Sequence, residues 1–128
     1  MSREITDKYA SFVQSTAVYP DGTLPNQNAT FHDRGDGSFL PVYSALGLGG
    51  EAGEFQGKVK KILRGDSPMT DEKIEAMLDE LGDCLWYIQD SANALRPGTT
   101  LADLIHRNVV KLRKRMEAGT LRGDGDNR

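Results

Sequence analysis

Two pairs of acids carry the chemistry this sequence can be read for. Glu51 and Glu54 stand three residues apart, as do Glu80 and Asp83, with 25 residues between the pairs. On an α-helix that spacing puts both acids of a pair on one face, about one turn from each other. Two such helices packed antiparallel aim four carboxylates at one point. Like charges about 4 Å apart repel by about 4 kcal/mol at an effective dielectric near 20, so the arrangement calls for cations between them. Oxygen-only ligation selects a hard ion, Mg2+ or Mn2+. Bases complete the pattern: Lys58 and Lys61 follow the first pair on the same flank, and Asn108, Lys111 and Arg115 form a row at i, i+3 and i+7. Amide, ammonium and guanidinium along one face suit phosphate.

These residues need helices to position them, and the apolar periodicity supplies four. Ile5, Tyr9, Phe12, Val13 and Ala17 give a first amphipathic helix over about 3–17, stopped by Pro20. Residues 18–40 hold Pro20, Gly22, Pro25, Gly35 and Gly37 without a sustained period and read as a long loop: a lid, a binding loop, or an arm that packs in an oligomer. Phe31, His32 and Phe39 are its groups able to stack on a base.

The second helix starts near Pro41 and runs to Arg64 before Gly65, with Leu48, Ala52, Phe55, Val59, Ile62 and Leu63 on its core side. Its five glycines, Gly47, Gly49, Gly50, Gly53 and Gly57, are expected to allow close helix approach. The alternative is a substrate resting on bare backbone. The third helix opens at an N-cap, Thr70, and carries Ile74, Met77, Leu78, Leu81, Cys84, Leu85 and Ile88 as one stripe flanked by Glu80, Asp83 and Tyr87. Asp71, Glu72, Glu75, Asp79 and Asp90 read as a solvated face, and Trp86 as a residue packed at a subunit interface or against a base. A capping box at Thr100 and Asp103 opens the fourth helix, whose stripe of Leu101, Leu104, Ile105, Leu112 and Met116 is interrupted by Asn108. An amide buried there needs a carboxylate, a water or a substrate oxygen as partner.

Composition excludes several classes. A chain of 128 residues with net charge −3 reads as a single domain over 1–128, with a Gly- and Asp-rich tail over 119–128, and it does not suit general nucleic-acid binding. No apolar run approaches the length needed to span a bilayer, and an acid at Glu4 with no apolar signal core points to the cytoplasm. Cys84, the only cysteine, rules out an internal disulfide or a thiolate cage and reads as a small buried hydrophobe. The tail segment Asp124 to Asn127 lacks the glycine and closing Glu of a calcium loop. A di-iron bundle would need Glu-x-x-His pairs, and neither His32 nor His106 follows a Glu at that spacing.

From Tyr43 to Arg128 the chain resembles the MazG-type all-α nucleoside triphosphate pyrophosphohydrolases, in their small single-domain form. Leu46-Gly47-Leu48-Gly49-Gly50-Glu51-Ala52-Gly53-Glu54 is similar to that family's first block, Glu80-Leu81-Gly82-Asp83-Cys84-Leu85-Trp86-Tyr87 to its second, and Asn108-x-x-Lys111-Leu112-x-x-Arg115 to a third. The resemblance implies an all-α bundle of about four helices, as a homodimer or homotetramer. It also implies Mg2+-dependent cleavage of a nucleoside triphosphate to the monophosphate and pyrophosphate, with the four acids on metal and Asn108, Lys111 and Arg115 near the nucleotide. A phosphoribosyl-ATP pyrophosphohydrolase and a dimeric dUTPase lie within the same superfamily. A non-catalytic helical interaction protein, its acids merely solvated, is the rival outside it.

Overall fold

A computed structural model of the chain describes residues 3–18 and 34–123. Phe31, His32 and most of the 18–40 loop lie outside them, as do 124–128. The described residues form four helices: α1 (Arg3–Thr16), α2 (Val42–Leu63), α3 (Asp71–Leu95) and α4 (Leu101–Glu117), with no strand among them. The architecture is an all-α bundle, as the periodicity anticipates.

The helix ends follow local chemistry. Pro41 precedes α2, and α2 closes where Gly65, at φ +86°, donates to Ile62 O while the Asp66 N–H reaches Lys61 O. That pair of bonds is a Schellman ending, which needs the left-handed conformation glycine adopts without steric cost. The Thr70 hydroxyl accepts from the Lys73 N–H to start α3. At α4 the capping box is complete: the Thr100 N–H donates to Asp103 Oδ2 at 2.9 Å, and the Asp103 N–H donates to Thr100 Oγ1 at 3.4 Å.

α2 and α3 make the main helix pair. Their partners descend along α3 as α2 ascends, Ser44 to Asp90, then Gly47 to Tyr87, then Lys58 to Glu80, so the two run antiparallel. α1 packs on the C-terminal half of α3, where Trp86 Nε1 donates to Thr16 Oγ1 at 2.9 Å and Asn93 Nδ2 to Ala10 O at 3.3 Å. Trp86 therefore packs on α1 within its own chain. The buried Gln89 amide donates to Asn93 Oδ1 and Thr99 O, tying α3 to the entry of α4, and α4 leans on α1 through Arg3 and Asp103. The Phe39 N–H donates to Ala94 O, which holds the segment before α2 against α3.

The apolar stripes are less covered than their periodicity suggests. Among the described residues only Val13, Ala92 and Ala94 are buried hydrophobics. Leu78, Leu81 and Leu85 on α3, Val59 and Leu63 on α2, and Ile105, Val109, Leu112 and Met116 on α4 are all exposed, Leu63 at 86% and Leu78 at 53%. On α1 the buried positions are Thr6 and Val13, while Ile5 and Phe12 face out. Four helices of one chain cannot cover every stripe, because α1 lies at one end of α3 and α4 packs on α1 rather than along the hairpin.

A Cβ on Gly47 would lie 2.2 Å from the Tyr87 ring, but none on Gly49, Gly50, Gly53 or Gly57 would meet an atom within 4 Å, so close packing accounts for Gly47 alone. Asp90 is not on a solvated face. It is half-buried, accepts from the buried Ser44 hydroxyl, and burial pushes its carboxyl up to about 6.

Gly47→Ala is expected to destabilise the fold, because overpacking against a rigid ring costs about 1–3 kcal/mol and outweighs the roughly 1 kcal/mol helix gain. Gly53→Ala, in open space, keeps that gain; urea unfolding midpoints moving in the same direction for both would refute the assignment. For Asp90 the folded pKa lies above the unfolded one, so the fold favours the acid form and this contribution is lost as pH rises from about 4 through about 6. Asp90→Asn, which still accepts from Ser44, should gain stability relative to the parent across that window, and a constant difference in urea midpoint would count against it.

Candidate active site

Glu51 and Glu54 lie one turn apart on α2, and the antiparallel hairpin brings Glu80 of α3 across to them. Carboxylate oxygens of Glu51, Glu54 and Glu80 all lie within 4.8 Å of one another. Glu80 is buried, at 9% exposure, Glu51 half-buried and Glu54 exposed. Desolvation raises the Glu51 carboxyl above its usual range, and the charges of Glu54, Asp83 and Glu80 push it further, as does a hydrogen bond with Glu80. Asp83 is exposed and does not join the oxygens of the other three, although its charge reaches Glu51. Three of the four acids thus meet, and the fourth flanks them.

The donor set fits a hard cation: carboxylates only, converging, and mutually repelling in its absence. Cys84, half-buried beside them, offers no competing thiolate. Desolvation raises its thiol, and Glu51, Asp83 and Glu80 raise it further. One internal cation is present, since Lys58 Nζ lies 3.2 Å from Glu80 Oε1.

A cavity lies on either side of the acids along the hairpin. Towards the N-terminus of α2, one of about 320 Å3 is lined by Thr16, Val18, Tyr43, Trp86 and Tyr87 with Glu51 and Asp83 themselves. Trp86 and Tyr87 meet edge to face at 5.1 Å, and Tyr87 is held in place over Gly47. Towards the α2–α3 turn, one of about 330 Å3 is lined by Lys58, Lys61, Ile62, Glu72, Lys73 and Ala76. A larger cavity of about 470 Å3 lies apart from the acids, between α1, α3 and the segment before α2, with Gln14, Phe39, Asp90 and Asn93 on its wall.

The α4 row fares differently. Asn108, expected to be a buried amide, is exposed, and so is Lys111, whereas Arg115 is buried at 8% exposure. Because α4 packs on α1, Asn108 and Lys111 face solvent rather than the acids of their own chain. Lys73 and Tyr43 escaped the spacing argument. Lys73 was legible in principle, since it precedes Glu80 by seven residues, two helical turns on the same flank.

Residues 44–120 match the family model for the MazG nucleotide pyrophosphohydrolase domain. The Gene 37 protein of Mycobacterium phage L5 is similar over 125 residues at 45% identity, covering 95% of this chain and 97% of that protein. No solved structure matches. With more than half its length inside the domain, and the acid pairs within that match, the chain belongs to the MazG nucleotide pyrophosphohydrolase family.

Proposed function

We propose that this protein hydrolyses nucleoside triphosphates, NTP or dNTP, to the monophosphate and pyrophosphate, with Mg2+ or Mn2+ held by Glu51, Glu54 and Glu80 and by Asp83 beside them. The observation that carries the reading is the meeting of three carboxylates between an aromatic cavity and a basic one. The ion supplies charge neutralisation and activation of water at neutral pH. Phosphoryl transfer otherwise asks mainly for positioning and electrostatics, which the chain's own groups provide. Tyr43, Trp86 and Tyr87 receive the nucleoside, and Lys58 and Lys61 balance phosphate charge. Water oxygen bonds to phosphorus as the α–β anhydride bond breaks, the electron pair leaves with pyrophosphate, and a carboxylate of the group takes the proton.

Assembly is part of the same proposal. The uncovered stripes of α2, α3 and α4 suit a second copy of the chain, in a homodimer or homotetramer. Asn108 and Lys111 lie away from the acids of their own chain, so their contact with the nucleotide requires α4 of another copy to supply them. No helix among the described residues is long and apolar enough to cross a membrane.

Pyrophosphate release should appear with Mg2+ or Mn2+ in a panel of canonical and modified NTPs and dNTPs and vanish with chelator. Glu80→Gln or Asp83→Asn should lower it at least 100-fold with unchanged helical circular dichroism; parental rates in either variant would sink the assignment. Mixing Glu80→Gln subunits with Lys111→Ala subunits tests the shared site. Recovered activity, above that of either variant alone, is expected, and activity no greater than their average would refute the exchange of α4.

A further inference from the structure

The cavity of about 470 Å3 between α1, α3 and the segment before α2 has one charged group on its wall, Asp90. The rest of that wall is amide, apolar or glycine, with Gln14, Asn93, Phe39 and Pro97 its larger members. Gln14 and Pro97 are exposed at the rim, Asp90 and Asn93 are half-buried, and Ala94 is buried behind them. Asp90 Oδ2 accepts from the Ser44 hydroxyl, which leaves Oδ1 for another donor. No countercharge meets this carboxyl. Burial alone raises it, to about 6, and none of the ion pairs among the described residues includes it. Residues 19–33, which lead in sequence from α1 to this wall, contain neither lysine nor arginine. A carboxyl taken half out of water is costly to ionise unless a cation pairs with it, yet one that titrates near 6 is mostly ionised at neutral pH. The cavity holds an unmet negative charge.

We infer that this cavity binds a small organic monocation, a primary amine with an apolar body, by pairing its ammonium with Asp90. An ammonium has three donors and no acceptor, and the wall offers acceptors to match. These are Asp90 Oδ1, the side-chain carbonyl of Gln14, and Asn93 Oδ1, which keeps a lone pair after accepting from Gln89. Phe39, Ala94 and Pro97 suit the apolar body, and the Phe39 ring face also attracts a cation. One carboxyl matches one positive charge, and the volume lies in the range of small-molecule sites. Since Ser44 and Asp90 join α2 to α3, an ion paired with Asp90 stabilises the end of the hairpin that they hold. The site lies apart from Glu51, Glu54 and Glu80, and the inference does not depend on the proposed hydrolysis.

Phenethylamine and its neutral counterpart 2-phenylethanol are the probes, titrated calorimetrically into the full chain at pH 7.5 with Mg2+ present. The amine is expected to bind one to one and to raise Tm, and the alcohol to bind about ten-fold more weakly or less. Asp90→Asn, which still accepts from Ser44, should weaken the amine about ten-fold or more, as expected for losing one charge-assisted contact. Gln14→Lys, at the exposed rim, brings a tethered ammonium to the same carboxyl; it should exclude the amine and raise Tm of the free protein. Glu80→Gln should leave amine binding unchanged. From α1 the group facing Asp90 is Gln14, from α2 Ser44 and from the segment before α2 Phe39, none of which titrates, while burial holds the proton on Tyr87 one turn back on α3. The pH dependence therefore belongs to Asp90: amine affinity should fall about ten-fold from pH 7.5 to 5, as the carboxyl takes up its proton. Amine affinity in Asp90→Asn within two-fold of the parent, equal binding of the alcohol, or no amine binding up to about 10 mM overturns the inference. Binding lost in Glu80→Gln and kept in Asp90→Asn would put the amine on the hairpin acids and overturn it as well.

Discussion

Mutual repulsion of Glu51, Glu54 and Glu80 is the constraint around which the α2–α3 hairpin is built. Three carboxylates within 4.8 Å of one another oppose the folding that assembles them, so the hairpin has to be held by contacts elsewhere. The Schellman ending at Gly65 and the Thr70 cap set the length of the turn, and with it the register of α3 against α2. Gly47 with Tyr87 and Ser44 with Asp90 then lock the far end. A slip of one residue would rotate each acid by about 100° on its helix and scatter the group. Lys58, paired with Glu80, offsets part of the repulsion from within.

The hairpin has two unlike sides. By helical geometry the acids project from one flank of each helix, and Val59, Leu63, Leu78 and Leu85 from the other. The first side is open to a small ligand and the second is bare apolar surface. Three buried hydrophobic residues among those described are few for a chain of this length, which is why the proposed assembly and the proposed catalysis belong together. A second copy would supply cover to the apolar stripes and, through α4, the polar groups that this chain turns away from its own acids.

α2 carries a cost that the chain's own contacts do not repay. Gly49, Gly53 and Gly57 recur every fourth residue on its outer side, each lowering helix propensity by about 1 kcal/mol relative to alanine. Nothing within the described residues approaches them, and no contact in the structure explains them.

Local signals in the sequence were enough for the four helices and their caps, because periodicity, Thr70, Thr100 and Gly65 act within a turn or two of themselves. The same holds for the acid pairs, since i, i+3 spacing determines which face two residues share whatever packs against it. What tertiary structure decided is everything that depends on which helix lies beside which. Asn108 interrupts an apolar stripe, a pattern that reads as burial, yet α4 packs on α1 and leaves it in solvent. Asp90 resembles its exposed acidic neighbours in sequence, yet Ser44, 46 residues away, makes it half-buried. Trp86 and Lys73 gain their surroundings from Thr16 and from Lys61, partners brought near only by folding. Spacing within one helix reports shared faces; contacts between helices depend on the summed packing of the whole chain, and no local pattern encodes that sum.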